Sequence, residues 1–395
     1  MPQTSSNLSN ALRARYIADY IRGAKMARVY DAMAAPIGKD MSMLKRGSSV
    51  VVNFLSDLAP ATEAISEIAD LTPVNMRDAT KSVTPTSRAN AIQVSEKLLN
   101  TSYTNYGSER FEKIGKNMME SVEVIARNVA CQGSVVQRTA ARASLDAGTA
   151  SNRITAAKFA NAEADLMTMK VPGLVDGREK WIAVMHPYVF ADLRDDADIT
   201  AIAQYQKANI LLAYELGELG PFKLVVSPWA KVFWGAGADN ASAVATTLAN
   251  AETALSKEIE VASATNIAVG QRLAIGTEET GDTHYPTNEL VTVISVSGTT
   301  IGIAGEGPNG GLRFDHASGV AVRNADSVGT VVFGGPMSLA KVYDTEVGEY
   351  GQVVGPKKQG LVDQFESLGW KWYGNYDRIS ESWLRREEVS LSRDA

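Results

Sequence analysis

The stretch SERFEKIGKNMMESVEVIARNVAC, residues 108–131, carries the clearest periodicity in the sequence. Its apolar residues recur at steps of three and four, which is the spacing of one face of an α-helix. Ser108 is placed to cap the first turn, and Gly133 can end the helix. Because the pattern lasts fewer than three heptads, it favours packing against a sheet over a coiled coil. We predict a long helix whose buried stripe contains Phe111, Ile114, Met118, Val122, Ile125 and Val129.

Two strand-like segments precede this helix, at residues 47–55 (GSSVVVNFL) and 91–98 (AIQVSEKL). About 35 residues separate them, which is longer than most connections inside a compact domain. This intervening segment contains Pro60, Pro73 and Pro85 and many Ser, Thr and Asp residues. We therefore predict an extended two-stranded arm with an elaborated tip. Its strand residues are Val50, Val52, Ile92 and Val94.

Helices and strands alternate after the long helix, which is typical of an α+β or α/β unit. The sequence predicts a helix at 155–170, a strand at 181–185 and a short helix after His186-Pro187. It also predicts a strand at 222–227, another at 329–334, and the start of a helix at 336–341. Three tryptophans in residues 363–393 indicate that this last segment is packed.

Residues 236–328 differ in kind from the sequence on either side of them. They hold eleven acidic and four basic residues, a net charge of −7, whereas the other 302 residues sum to +1. Short alternating runs at Ile259/Val261, Leu273/Ile275, Val291/Val293, Ile301/Ile303 and Val320/Val322 predict strands. Because α/β patterns run up to this segment and continue after it, we interpret it as an all-β domain inserted at a surface loop.

Residues 1–46 carry the opposite charge, with eight bases against three acids. Helical spacing over residues 9–33 predicts a basic amphipathic helix with three tyrosines on its apolar face. Those tyrosines favour a protein partner over lipid, and an ordinary packed first helix is the alternative. The predicted contact residues are Arg13, Tyr16, Tyr20 and Arg22.

The composition argues against several kinds of chemistry. One Cys and three His among 395 residues exclude an internal disulfide and disfavour zinc sites. No apolar run approaches the roughly 18 residues of a membrane span, and the first residues do not resemble a signal peptide. The sequence therefore predicts a chain that is intracellular when made and needs no membrane, metal or cofactor.

Individual motifs give no better support to an enzyme. Residues 305–310 (GEGPNG) match GxGxxG, but Pro308 and the non-helical sequence that follows favour a β-turn. The acids Asp192, Asp195, Asp196 and Asp198 could bind a cation, and a solvated loop is the alternative. His186 could act as an acid or base, or have a structural role at a strand end. Cys131 has the pattern of a small buried residue.

The order of elements resembles the tailed-phage major capsid fold first seen in phage Hong Kong 97. Residues 182–194 (IAVMHPYVFADLR) are similar to a "VMHP…DLR" signature of the capsid family typified by the coliphage that carries its own virion RNA polymerase. Residues 214–226 (YELGELGPFKLVV) and 369–373 (GWKWY) resemble two further strings of that family. The resemblance spans most of residues 9–235 and 329–390, and the inserted domain lies outside it.

This resemblance implies an α+β capsid fold whose segments have defined places. They are an N-terminal arm (1–46), an extended loop (47–99), a peripheral domain with a spine helix (100–149), an axial domain (150–235 and 329–360), an inserted β-domain (236–328) and C-terminal peripheral strands (361–395). The predicted helix at 108–131 would be the spine helix, and the predicted strands at Val50, Val52, Ile92 and Val94 would form the loop that lies across a neighbouring subunit.

The function implied is that of a major capsid protein, which self-assembles into the icosahedral shell enclosing double-stranded DNA. Its partners would be copies of itself in hexamers and pentamers, with scaffolding and portal proteins and, as a further candidate, a decoration protein. It would lie in the virion capsid, after assembly in the host cytoplasm, and would not be an enzyme. The alternatives are an encapsulin-like cargo shell and a glycan-binding protein. Glycan binding would use four residues of the inserted domain: Asp282, His284, Asp315 and His316.

Overall fold

The computed structural model describes residues 29–37, 49–62, 73–101, 106–142, 145, 150–173, 180–197, 199, 217–233, 244–277, 287–324, 328–344, 351–360 and 364–392. Its helices are α1 (Glu96–Thr101), α2 (Tyr106–Cys131), α3 (Ala156–Thr168) and α4 (Pro187–Arg194). Short 3-10 turns lie at Tyr30–Met33, Ala150–Asn152, Pro308–Gly310 and Glu381–Trp383. None of the helices in these ranges is long and apolar enough to cross a membrane.

The strands are, in chain order, β1 (Ala34–Pro36), β2 (Val50–Leu55), β3 (Asp78–Val83), β4 (Thr86–Ser95), β5 (Val136–Gln137), β6 (Trp181–Met185), β7 (Glu218–Leu219), β8 (Phe222–Val226), β9 (Val232–Phe233), β10 (Ala245–Thr247), β11 (Glu258–Glu260), β12 (Arg272–Ile275), β13 (Glu289–Ser297), β14 (Thr300–Gly305), β15 (Ala321–Asn324), β16 (Val328–Gly334), β17 (Leu339–Tyr343), β18 (Gln352–Gln359), β19 (Phe365–Arg378) and β20 (Leu384–Ser390). The chain divides into two compact units. The first contains residues 34–125 and 339–379, and the second contains 29–33, 126–338 and the residues from 380 onward.

The predicted long helix is present as α2, which begins at Tyr106, two residues before the predicted cap. Four members of the predicted stripe are buried, namely Phe111, Ile114, Met118 and Val122. Ile125 and Val129 are only half-buried, and the buried positions of this part of the helix are Ala126 and Ala130 instead. The buried side rotates here because the helix passes from the first compact unit into the second after residue 125.

The first unit is built on a five-stranded sheet centred on β19. One side of β19 pairs with β17 and β18, and the other side pairs with β4 over ten residues. β1 extends the sheet by pairing in parallel with β17. Gly369, from the GWKWY string, lies where β4 passes closely, since a Cβ at this position would stand 2.6 Å from the carbonyl oxygen of Asn90. A larger residue would therefore disturb the pairing of these two strands.

The two-stranded arm is present, but its strands differ from the predicted ones. β2 pairs antiparallel with β3, so Val50 lies opposite Val83 and Val52 opposite Lys81. Ile92 and Val94 belong to β4 and lie opposite Leu368 and Glu366 of β19. The predicted pairing of the Val50 segment with the Ile92 segment is therefore wrong. Strand β3 (DATKSV) is mostly polar, which hid it, and residues 96–98 form the start of helix α1 instead of a strand end.

The second unit contains a sheet in the order β5-β20-β16-β6-β8-β7, with β9 also paired to β16. Strands β6 and β8, predicted from their apolar runs, are parallel neighbours. Helix α3 packs on this sheet through Phe159, whose ring lies 5.8 Å from that of Phe222 and 5.0 Å from that of Phe333, centroid to centroid. Edge-on aromatic contacts of this kind add to the burial of apolar area in holding a helix on a sheet.

The strands divide the segments 329–360 and 361–395 differently from the prediction. β16 lies in the sheet of the second unit, whereas β17 and β18 lie in the sheet of the first. Residues 339–341, predicted to continue a helix start, belong to strand β17. In the same way β19 belongs to the first sheet and β20 to the second. Short connections at residues 335–338 and 379–383 thus join neighbouring strands that belong to different sheets.

The inserted acidic domain is a six-stranded antiparallel sheet in the order β10-β15-β12-β13-β14-β11. A strand lies at or beside each of the five predicted positions, and the sixth, β10, lies in residues expected to be a connector. The two edges meet through a bridge between Leu248 and Val261 and through a hydrogen bond of 2.8 Å from Ala262 N to Thr247 O. The sheet therefore closes into a small barrel, which is called the inserted barrel below, around its own apolar core.

Candidate functional site

The residues predicted to carry chemistry have structural roles. His186 caps helix α4, since its Nδ1 accepts a hydrogen bond of 3.3 Å from the backbone N–H of Tyr188. Burial, together with the nearby Arg272 guanidinium, lowers the pKa of His186 from 6.5 to about 4. The imidazole is therefore neutral at pH 7 and occupied by the cap, which agrees with the structural alternative given above.

We expect the protein to lose stability as the pH falls from 6.5 towards 4. Because the pKa of His186 is lower in the folded than in the unfolded chain, the unfolded chain binds the extra proton in this window. A shift of that size corresponds to about 3 kcal/mol of unfolding free energy. His186→Asn keeps a cap acceptor but cannot titrate, so urea unfolding at pH 7 and pH 4.5 should show a smaller acid loss for the variant. Equal losses in the two proteins would contradict this assignment.

The other candidates for metal or nucleophilic chemistry are also occupied. Asp192 accepts hydrogen bonds from the backbone N–H and the hydroxyl of Ser392, and Asp196 accepts one of 2.7 Å from Ala156 N at the start of α3. Asp198 lies outside the described residues. No group of three or more metal-ligating side chains occurs in the part of the chain that the structure describes. Cys131 is buried, and burial raises the pKa of its thiol.

The inserted barrel uses its own acids and histidine internally. His316 Nε2 lies 2.7 Å from Glu289 Oε1, and both side chains are buried. Asp315 accepts a hydrogen bond of 2.7 Å from Ala254 N. Asp282 and His284 lie outside the described residues. The GxGxxG segment forms the end of β14 and a 3-10 turn that leads into no helix, as its proline predicted. These contacts give no support to a glycan site at Asp315 and His316.

Sequence reasoning missed a row of buried charges on β20 (LRREEVS), whose seven residues are all buried. On one face of the strand, Glu387 pairs with Lys158 at 3.5 Å and Arg385 pairs with Asp165. On the other face, Glu388 accepts from Arg142 at 2.6 Å and pairs with Arg386 at 3.0 Å. The signal was present in the sequence, because four charges stand between the apolar residues Leu384 and Val389 in a segment already interpreted as packed.

Burial perturbs the charges on the α3 side of this strand. Desolvation raises the pKa of Glu387, although Lys158 and Arg385 act in the opposite direction. Desolvation likewise lowers the pKa of Lys158, against the effect of Glu387. Buried ions of this kind are retained only where each has a partner, so the network holds the centre of the second sheet together instead of marking a catalytic centre.

The hairpin β2–β3 and the chain leading from it form an exposed apolar surface. Leu55 is 68% exposed and Val74 is 75% exposed. The other exposed apolar side chains of this segment are Val51, Leu58 and Met76. Val50 and Val52, the predicted contact residues, are half-buried. Apolar side chains clustered on a projecting hairpin, and not covered by the rest of the described chain, indicate a binding surface for another protein.

The remaining predicted site residues are dispersed. Ile92 is half-buried and Val94 is buried, both within the sheet of the first unit. The arm residues Arg13, Tyr16, Tyr20 and Arg22 lie outside the described residues. Of the predicted helix at 9–33, the described part begins at Val29 and contains the 3-10 turn with buried Tyr30 and Met33.

Comparison with solved structures identifies the fold. The capsid protein of Ralstonia phage GP4 matches with a TM-score of 0.52 and 10% sequence identity, covering 94% of this chain and 91% of that one. Cyanophage Pam1 capsid matches with a TM-score of 0.51 at 11% identity, covering 93% and 94%. Cyanophage P-SCSP1u capsid matches with 0.51 at 9% identity, covering 91% and 88%. No protein-family model and no curated protein matches the chain. The chain therefore has the mixed helix and strand fold of these phage capsids, which agrees with the expected fold class.

Proposed function

We propose that this chain is a major capsid protein, and that its copies assemble into the icosahedral shell enclosing the double-stranded DNA of a tailed bacteriophage. The observation that carries the proposal is the shared fold, because the likeness to two phage capsids extends over more than nine-tenths of both chains. A likeness of that extent leaves little of the chain for a different purpose. The resemblance of three sequence strings to one coliphage capsid family supports the same function and makes that family our narrower proposal.

The exposed hairpin supports assembly with copies of the same chain. A two-stranded hairpin is marginally stable alone in water. Its exposed side chains, Leu55 and Val74 among them, would be covered when the hairpin lies across a neighbouring subunit. In this proposal α2 is the spine helix, and residues 1–46 form an arm that reaches a neighbour through Arg13, Tyr16, Tyr20 and Arg22.

A closed shell requires many modest contacts whose effects add up. The partners that we propose are therefore hexamers and pentamers of the chain itself, with scaffolding and portal proteins, and a decoration protein as a further candidate. The packaged DNA is enclosed without recognition of its sequence. The protein acts in the virion capsid and assembles in the host cytoplasm, and we assign it no catalytic role.

Electron microscopy of the purified chain tests the proposal. The chain expressed alone, and together with a scaffolding protein, should give shells, sheets or capsomers in negative stain. A strictly monomeric protein under every assembly condition would overturn the proposal. Particles from infected cells should contain nuclease-protected DNA, whereas an encapsulin-like shell would contain a protein cargo instead.

We further propose that the inserted barrel lies on the outer surface of the shell, since its net charge of −7 would repel DNA if it lined the interior. Replacing residues 240–326 with a short Gly/Ser linker should leave shell formation intact, as judged by negative-stain microscopy and sedimentation. Complete loss of shells, with the remaining chain still folded by circular dichroism, would mean that the barrel makes contacts essential for assembly.

A further inference from the structure

The inserted barrel contacts the body of the second unit through two arginines. The guanidinium carbon of Arg272, at the start of β12, lies 5.2 Å from the centre of the Tyr188 ring. That of Arg313 lies 5.3 Å from the Trp229 ring. Tyr188 follows β6 on helix α4, and Trp229 follows β8. The two aromatic rings therefore lie just beyond the carboxyl ends of two parallel neighbouring strands, and they form what is called the seat below.

The barrel holds these arginines in place from its own side. The backbone N–H groups of Arg313 and Phe314 donate to Glu289 at 2.8 and 3.2 Å, and the buried Glu289 also pairs with His316. The Arg313 guanidinium also lies 5.0 Å from the Phe314 ring. The loop that carries Arg313 is thus fixed to the barrel core before it reaches the body.

A single carboxylate links the two contacts. Glu306 lies close enough to both Arg313 and Arg272 to interact electrostatically with each. A negative charge shared by two guanidinium groups reduces their mutual repulsion and favours the arrangement in which both face the seat. Arginine is suited to this position because its planar group stacks on aromatic rings while it remains charged.

The barrel and the body are otherwise built as separate structures. The barrel core, which contains Ile259, Leu273 and Val291, shares no member with the core of the body around Phe159 and Phe222. Among the strands that the structure describes, none of the barrel pairs with one of the body. Breaking the contacts at the seat therefore removes no element from either core.

We propose that Arg272 and Arg313 form a two-point latch on Tyr188 and Trp229, which holds the inserted barrel in one orientation and from which the barrel can detach as a folded body. Opening of the latch exposes the seat and releases the direction in which the barrel points. The latch is a property of the single chain, so the proposal is independent of shell formation.

Hydrogen exchange on the full-length chain tests the latch. The test variant is Arg272→Ala with Arg313→Ala. The matched control is Lys257→Ala with Arg323→Ala, which removes two positive charges from the same barrel. In the test variant, peptides covering 186–194 and 227–231 should exchange at least threefold faster, whereas peptides covering 289–305 should keep the exchange of the unaltered chain. The control should match the unaltered chain in all of these peptides.

Two outcomes would overturn the proposal. Unchanged exchange at the seat in the test variant would mean that other contacts hold the barrel. Faster exchange in 289–305 as well would mean that the barrel cannot detach without unfolding. Replacing both arginines by lysine retains the charge but loses the planar stacking, so exchange at the seat should fall between those of the alanine variant and the unaltered chain.

Discussion

Replacing Glu388 with alanine is expected to lower the free energy of unfolding by about 3 to 5 kcal/mol, because it leaves buried guanidinium groups without their counter-charge. Glu388 has no exposed surface. Its carboxylate accepts from Arg142 at 2.6 and 3.0 Å and lies 3.0 Å from Arg386. Urea unfolding followed by circular dichroism should show the midpoint of the second unit moving to lower urea. Glu388→Gln, which keeps the volume and one acceptor, should lose less.

An exposed ion pair provides the matched control for this prediction. Glu218 pairs with Lys180, and about half of each side chain is exposed. Glu218→Ala should therefore cost less than about 1 kcal/mol, the usual range for surface pairs. If the Glu388 and Glu218 variants lost similar, small amounts of stability, the network on β20 would have no special weight in the fold.

The double substitution Leu55→Asp with Val74→Asp should reduce the yield of shells at least tenfold while leaving the stability of the single chain unchanged. Both side chains are largely exposed in the isolated chain, so a charge at either costs little there. At an interface the same charges would be buried without partners, which is strongly unfavourable. Sedimentation velocity and negative-stain microscopy would measure the yield, and urea unfolding would measure the stability.

Val269→Asp supplies the control for the hairpin variant. Val269 is 65% exposed, much like Leu55, but it lies on the inserted barrel. This substitution should leave shell formation unaffected. Normal shells from the hairpin variant would show that the hairpin does not lie at an interface, and failure of both variants would point to a general effect of added charge.

Local periodicity predicted the elements whose burial is one-sided or complete. Helix α2 and strands β6, β8 and β16 were found from their apolar pattern alone, as were the strands of the inserted barrel. Elements whose burial depends on distant partners were missed. The polar strand β3 is stabilised by pairing with β2, and β17 reads as a helix start because its apolar spacing over five residues fits either structure.

Strand pairing was the part that local patterns could not supply. Ile92 and Val94 carry the alternation of a strand, but alternation does not identify the partner, which lies about 270 residues away on β19. The same applies to the candidate site. Exposure of Val51 and Leu55 follows from the projection of the hairpin, and the ion pairs of Glu387 and Glu388 follow from the neighbours of β20; neither is encoded in local spacing.

The placement of β19 and β20 has a consequence for synthesis of the chain on the ribosome. β19 is the strand that joins β4 to β17 and β18, and β20 lies between β5 and β16. Neither sheet can therefore close until these last strands have left the ribosome exit tunnel. A nascent chain that stops before residue 365 lacks the centre of one sheet and an interior strand of the other. Such a fragment would remain unfolded and open to proteases, so the fold itself restricts entry into an assembly to chains that have been translated through Ser390.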